Sequence, residues 1–114
     1  MTLARLAFAA IVSFGLAGTA AAEAITGDWL TENGERVTVE PCGGGYCATV
    51  LTGTYQGQQI AQVSGAGPEY PGTITDPSAG RVYKGAMTVR GAELDLKGCV
   101  MERFCKTVRS WRRP

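Results

Sequence analysis

An all-β domain of seven or eight short antiparallel strands, built as a small barrel or sandwich, is the fold this 114-residue chain predicts. Three observations predict it. Beyond residue 26, apolar residues alternate with polar ones at the period of half-buried strands, and no stretch carries convincing helical periodicity. Glycine, 16 in all, breaks these runs at turn spacing. Four cysteines, an even number, fall near the ends of the runs, as suits a domain too small to rely on its apolar core alone.

The N-terminus does not belong to that pattern. A short basic start, Met1–Arg5, leads into an uncharged run, Leu6–Gly18, and a small-residue site, Ala20-Ala21-Ala22. These are the parts of a secretory signal peptide, with cleavage expected after Ala22. A bilayer span needs about 20 apolar residues, more than this run supplies. No cysteine stands at the cleavage site to take a lipid. Residues 1–22 are therefore read as a signal peptide and 23–114 as one domain, soluble and periplasmic or secreted. Loss of Arg5 leaves ten basic residues against ten acidic ones, which argues against a nucleic-acid binder. The C-terminal cluster Arg103, Lys106, Arg109, Arg112 and Arg113 faces only Glu102 in sequence. It reads as a solvated strand face, with an anion-binding edge as the lesser alternative.

The first strand is Gly27 to Thr31, closed by the hairpin signal Asn33-Gly34. Arg36 to Cys42 alternates, with Val37 and Val39 on one face. Gly43-Gly44-Gly45 turns the chain, and Cys47 to Leu51 runs back. Thr52 to Pro71, rich in glycine and proline, predicts a loop crossing the barrel mouth plus one poor strand at Gln59–Val63. Gly72 to Thr75 then enters an Asp76-Pro77 turn closed by Gly80. Arg81 to Val89 places Tyr83, Gly85, Met87 and Val89 on one face. Arg90-Gly91 predicts a two-residue turn. Ala92 to Val100 places Leu94, Leu96, Gly98 and Val100 inward. The last strand runs from Phe104 to Arg112, but Val108 and Trp111 do not share a face, so alternation does not set its phase.

Four cysteines allow three pairings. Strand phase puts Cys42 and Cys47 on the outer face at the end of one hairpin, and Cys99 on the outer face opposite the start of Cys105's strand. Local pairs Cys42–Cys47 and Cys99–Cys105 are the favoured reading; a long-range pairing would need the two hairpin ends to meet. Spacings of four and five intervening residues are not those of a thiol oxidoreductase, and an oxidising compartment favours disulfides over zinc.

The sequence contains no histidine, which removes the commonest general base and metal ligand. Carboxylate pairs remain for glycoside chemistry, Asp28 with Glu32 or Glu35, and Glu93 with Asp95. Glu93 and Asp95 alternate with leucines, however, and Glu32 and Glu35 flank a turn. The triple glycine lacks the lysine of a phosphate loop. A non-enzyme without a cofactor or metal is expected.

Several motifs together carry a resemblance: Gly27-Asp28-Trp29, Glu40-Pro41-Cys42, Tyr46-Cys47-Ala48, Gly72-x-Ile74-x-Asp76-Pro77-x-x-Gly80-x-x-Tyr83, Leu94-x-Leu96-x-Gly98-Cys99, and Ser110-Trp111-x-Arg113. In this order they resemble a domain-of-unknown-function family of small exported bacterial proteins with lipocalin-like barrels and no established activity. The resemblance implies an up-and-down, calycin-like β-barrel stapled by disulfides. It also implies that Trp29 closes the barrel floor beneath a basic side chain of the last strand, Arg113 or Arg109, in a structural role. An arginine over an indole face gains about 1 kcal/mol.

A non-catalytic envelope barrel is the leading expectation. Small barrels have interiors just wide enough for their own side chains, so a filled interior is expected. Should a cavity exist, Tyr83, Met87, Leu94, Leu96 and Trp111 are its candidate lining, for a small apolar ligand. The alternative is a protein–protein module, an inhibitor of a periplasmic or incoming lysozyme or protease, using rigid loops such as 53–71 or 100–104.

Overall fold

The computed structural model describes residues 24–101 and 103–114, and in it eight antiparallel strands close into one barrel in up-and-down order. They are β1 Gly27–Leu30, β2 Arg36–Cys42, β3 Gly45–Val50, β4 Gln59–Val63, β5 Glu69–Asp76, β6 Arg81–Arg90, β7 Glu93–Val100 and β8 Phe104–Arg112. The expected signal peptide, residues 1–22, lies outside the described residues. Among those described, no helix is long and apolar enough to cross a membrane.

Alternation becomes burial most plainly along β2 and β7. Val37 and Val39 are buried while Arg36 and Glu40 are exposed, and Leu94 and Leu96 are buried between exposed or partly exposed neighbours. The β6–β7 turn is Gly91-Ala92, one residue later than expected, because Arg90 pairs with Glu93 and Gly91 takes a φ of 61°. A second group of glycines bends the wall. Gly72, Gly85 and Gly98 stand opposite one another across three strands. A Cβ on Gly85 would collide with the Lys97 carbonyl, and one on Gly72 with that of Gln62. Glycine there lets neighbouring strands approach and the sheet curve into a barrel.

The Thr52–Pro71 stretch differs from the expected single loop. Strand β4 pairs on both sides, with β3 and with β5, and β5 begins at Glu69 rather than Gly72. Two loops result, Thr52–Gln58 at one end of the barrel and Ser64–Pro68 at the other. Pro71 is tolerated inside β5 because it stands beyond the last β4–β5 pair, Val63↔Gly72, on the side where its missing N–H would point, while its carbonyl accepts a hydrogen bond from the Ser64 N–H at 3.0 Å. The phase of β8 has an equally local cause. Its register against β7 jumps from Leu96↔Arg109 to Lys97↔Thr107, leaving Val108 as an unpaired extra residue. That bulge returns Trp111 to the inner face opposite Leu94.

The barrel closes at the seam between β1 and β8, where the ladder has a single pair, Leu30↔Arg112. Arg113 adds side-chain bonds across it. Its guanidinium lies 3.8 Å over the Trp29 ring. It donates hydrogen bonds of 3.0 Å to the carbonyls of Asp28, Ala24 and Thr26. The Arg113 backbone N–H also bonds to Ala92 O at 2.8 Å. Trp29 is fully buried, and its indole N–H donates to Ile25 O at 3.0 Å. Ile25, Trp29, Val39, Met87 and Leu94 fill this end of the barrel as a continuous core.

The two disulfides are Cys42–Cys47, across the β2–β3 hairpin, and Cys99–Cys105, across β7–β8. Outside the wall, Arg90 grips Asp95 through Nε to Oδ2 at 2.7 Å and Nη2 to Oδ1 at 3.2 Å, and reaches Glu93 at 2.9 Å. Ser110 Oγ donates to Asp95 Oδ1 at 2.9 Å. The Arg90 hydrogen bonds, aided by Ser110, hold the Asp95 carboxyl below its ordinary pKa despite some desolvation.

Two outcomes follow from these bonds. Each disulfide closes a short loop and contributes about 2 kcal/mol. In urea titrations, Cys42→Ser/Cys47→Ser and Cys99→Ser/Cys105→Ser should each lower stability by about that much. A reductant should lower the melting temperature of the native protein and leave the quadruple serine variant unmoved. For Asp95, a depressed folded-state pKa gives stability that is present above the unfolded value of about 3.9 and lost as pH falls through the folded one. Asp95→Asn should therefore melt lower than the native protein at pH 7, with the gap closing in melts recorded below about pH 4.

Candidate functional site

Strands run alternately up and down, so the four turns 31–35, 51–58, 77–80 and 101–103 gather at the end opposite Trp29. This end is open. A cavity of ≈ 1120 Å³ enters the barrel there. At its base stand Val37, Val50, Ile60, Ile74, Leu96 and Trp111, all buried. Because these side chains show almost no surface to solvent, the space narrows sharply at their level, and most of its volume lies above them among the turns. The site is a funnel. The interior is filled below and open above, which corrects the expectation of an interior filled throughout. Two causes are visible: Gly98 contributes no side chain to the inner face, and β1 ends at Leu30, far short of the length of β8.

The candidate lining divides accordingly. Tyr83, Leu96 and Trp111 face the funnel. Met87 and Leu94 do not; both are fully buried in the core toward the Trp29 end, which corrects their placement as cavity lining. Arg113 covers Trp29, whereas Arg109 stands at the mouth, 3.8 Å from Glu32 across the seam. Sequence reasoning passed over Tyr55 and Ile60. The β3–β4 loop is held by bonds from Gly57 N to Val50 O at 2.7 Å and Val50 N to Gln58 O at 2.9 Å, and its Tyr55 packs against the core at the funnel wall. Ile60 is buried beside Ala61 at the register shift in β4, so simple alternation does not reveal it.

The rim is polar and locally rigid. Asp76 Oδ1 accepts from Ser78 N at 3.0 Å, Ser78 Oγ at 2.7 Å and Ala79 N at 3.4 Å, fixing the Asp-Pro turn. The Ser78 hydroxyl bond is the main reason that the Asp76 carboxyl sits below its ordinary pKa. Thr31 Oγ1 accepts from Glu35 N at 3.0 Å and donates to Asn33 Oδ1 at 2.6 Å, ordering the first hairpin. Glu32, Glu35 and Asp76 thus share the rim with Arg103, Lys106 and Arg109. Asp28 pairs with Arg36 at 3.3 Å outside the funnel, and Glu93 and Asp95 with Arg90. Among the described residues, no group of three or more histidine, cysteine, aspartate or glutamate side chains is placed to hold a metal ion.

A family model described as "Uncharacterized protein conserved in bacteria (DUF2147)" matches residues 52–113, from the β3–β4 loop through β8. The chain matches no curated protein and no solved structure.

Proposed function

The chain belongs to this DUF2147 family, and from that premise we propose that it is an exported, non-catalytic barrel whose funnel binds a small ligand by its apolar part. The observation that carries this reading is the funnel itself: ≈ 1120 Å³, with an apolar base and a polar rim. Ligand sites are typically concave, apolar and edged by a few polar groups, with volumes of about 300–1,000 Å³, and this space is slightly larger than that. The rigid rim supports it further, since turns already fixed by Asp76 and Thr31 need little ordering on binding. Export is supported by the N-terminal pattern and by two disulfides, which persist in oxidising compartments. The non-catalytic part rests on the fate of the carboxylates. Asp76 is committed to its turn, and Asp28, Glu93 and Asp95 are bonded to arginines on the outer face.

Titration with an environment-sensitive apolar dye, with long-chain alcohols as competitors, tests the reading. Saturable dye binding is expected, together with competition that strengthens with chain length. Gly98→Phe, which would put a ring into the space that Gly98 leaves open, should weaken binding by about tenfold or more while the urea midpoint shifts little, since a Cβ there meets only Val108 at ordinary contact distance. Dye binding that is absent, or equal in Gly98→Phe and the native protein, would contradict the funnel as a binding site.

A further inference from the structure

The β7–β8 hairpin forms part of the mouth and carries an unusual tip. Val100, Met101 and Phe104 are 58%, 80% and 69% exposed, and Val82 on neighbouring β6 is 64% exposed. A core-forming sequence has no use for such side chains at a turn, where polar residues and glycine are the rule. Met101 sharpens the point. It is the single non-glycine residue with positive φ, 57°, among those described. Glycine or asparagine would adopt that conformation at less cost, so an unbranched apolar side chain is held outward against local preference. Such outliers cluster where a segment has work to do.

The tip is also braced. Cys99–Cys105 ties the two strands directly below it, so the apolar group is presented without further ordering. Cations outnumber anions around it. Glu102 lies between Met101 and Arg103 in sequence, but Arg103 and Lys106 lie on the hairpin and Arg81 beside Val82, all three exposed, and among the described residues none of the three shows an ion pair. Long basic side chains beside apolar ones suit a bilayer surface, because Arg103 in the turn with Met101, and Lys106 behind the Val100–Phe104 pair, can extend back to anionic headgroups while Met101 and Phe104 enter the tails.

We infer that the β7–β8 hairpin tip docks on an anionic lipid surface, with Met101 and Phe104 entering the acyl boundary and Arg103 and Lys106 meeting the headgroup phosphates. The tip stands at the rim of the funnel, so docking would bring the funnel mouth to the membrane. The inference does not depend on the funnel being occupied.

Protein recovered after export from a bacterial host, cosedimented with sucrose-loaded vesicles, provides the test. Vesicles of phosphatidylglycerol with phosphatidylethanolamine should bring it down, and pure phosphatidylcholine vesicles should do so much less. Met101→Asn/Phe104→Ser, with asparagine chosen because it accepts the positive φ, should reduce partitioning by about tenfold or more at unchanged melting temperature. Arg103→Gln/Lys106→Gln should abolish the preference for phosphatidylglycerol and the weakening by salt. Failure of the native protein to sediment, equal sedimentation with both lipids, or a tip variant that sediments as the native protein does would each overturn the inference. So would a concentration-dependent dimer, lost in Met101→Asn/Phe104→Ser without vesicle binding, which would make a second copy the tip's partner.

Discussion

The barrel's first and last strands share one ladder pair, and the side-chain hydrogen bonds that hold them together at the closed end come from Arg113. Its guanidinium ties three carbonyls of the N-terminal segment to the end of β8 while lying on the Trp29 ring. Hydrogen bonds from a charged donor contribute about 1.5–3 kcal/mol each and the ring contact about 1. For a domain of this size, whose total stability is on the order of 5–10 kcal/mol, such a contact decides whether the seam stays shut. The same contact lets a four-residue strand complete an eight-stranded cylinder.

Closing the barrel so firmly at one end leaves the other free to open. Below, Ile25, Trp29, Met87 and Leu94 form a core with no room for a guest. Above, β8 continues from Phe104 without a β1 partner, and the Arg109–Glu32 contact bridges the gap at the rim. A free strand edge invites pairing with another chain, and here it is guarded by the Val108 bulge and by Lys106 and Arg109. The disulfides divide along the same axis: Cys42–Cys47 secures the hairpin at the closed end, and Cys99–Cys105 the hairpin at the mouth.

Much of this was legible in the sequence, for local reasons. Alternation located β2, β6 and β7 because each has one face toward the core and one toward water. It also put Cys42 and Cys47 on one outer face at a hairpin end, which made the local disulfide the natural choice. What was hidden depended on irregularities that alternation cannot represent. The Val108 bulge obscured the facing of β8, and the register shift in β4 hid Ile60. The early start of β5 at Glu69 was masked by Pro71, whose bond to Ser64 becomes apparent only once the strands are paired. Tyr83, Leu96, Met87 and Leu94 all had the right facing. Assigning them to funnel or floor needs their height in the barrel, because Met87 and Leu94 sit toward the ends of β6 and β7 that approach Trp29.

Amide hydrogen exchange on Arg113→Ala, compared with the native protein, bears most directly on the claim that Arg113 closes the barrel. Protection should fall first and most at Gly27–Leu30 and the last residues of β8, while the β5–β6 ladder keeps protection set by global unfolding. Unchanged exchange at Trp29 and Leu30, or an equal loss across all eight strands, would contradict a seam held by Arg113.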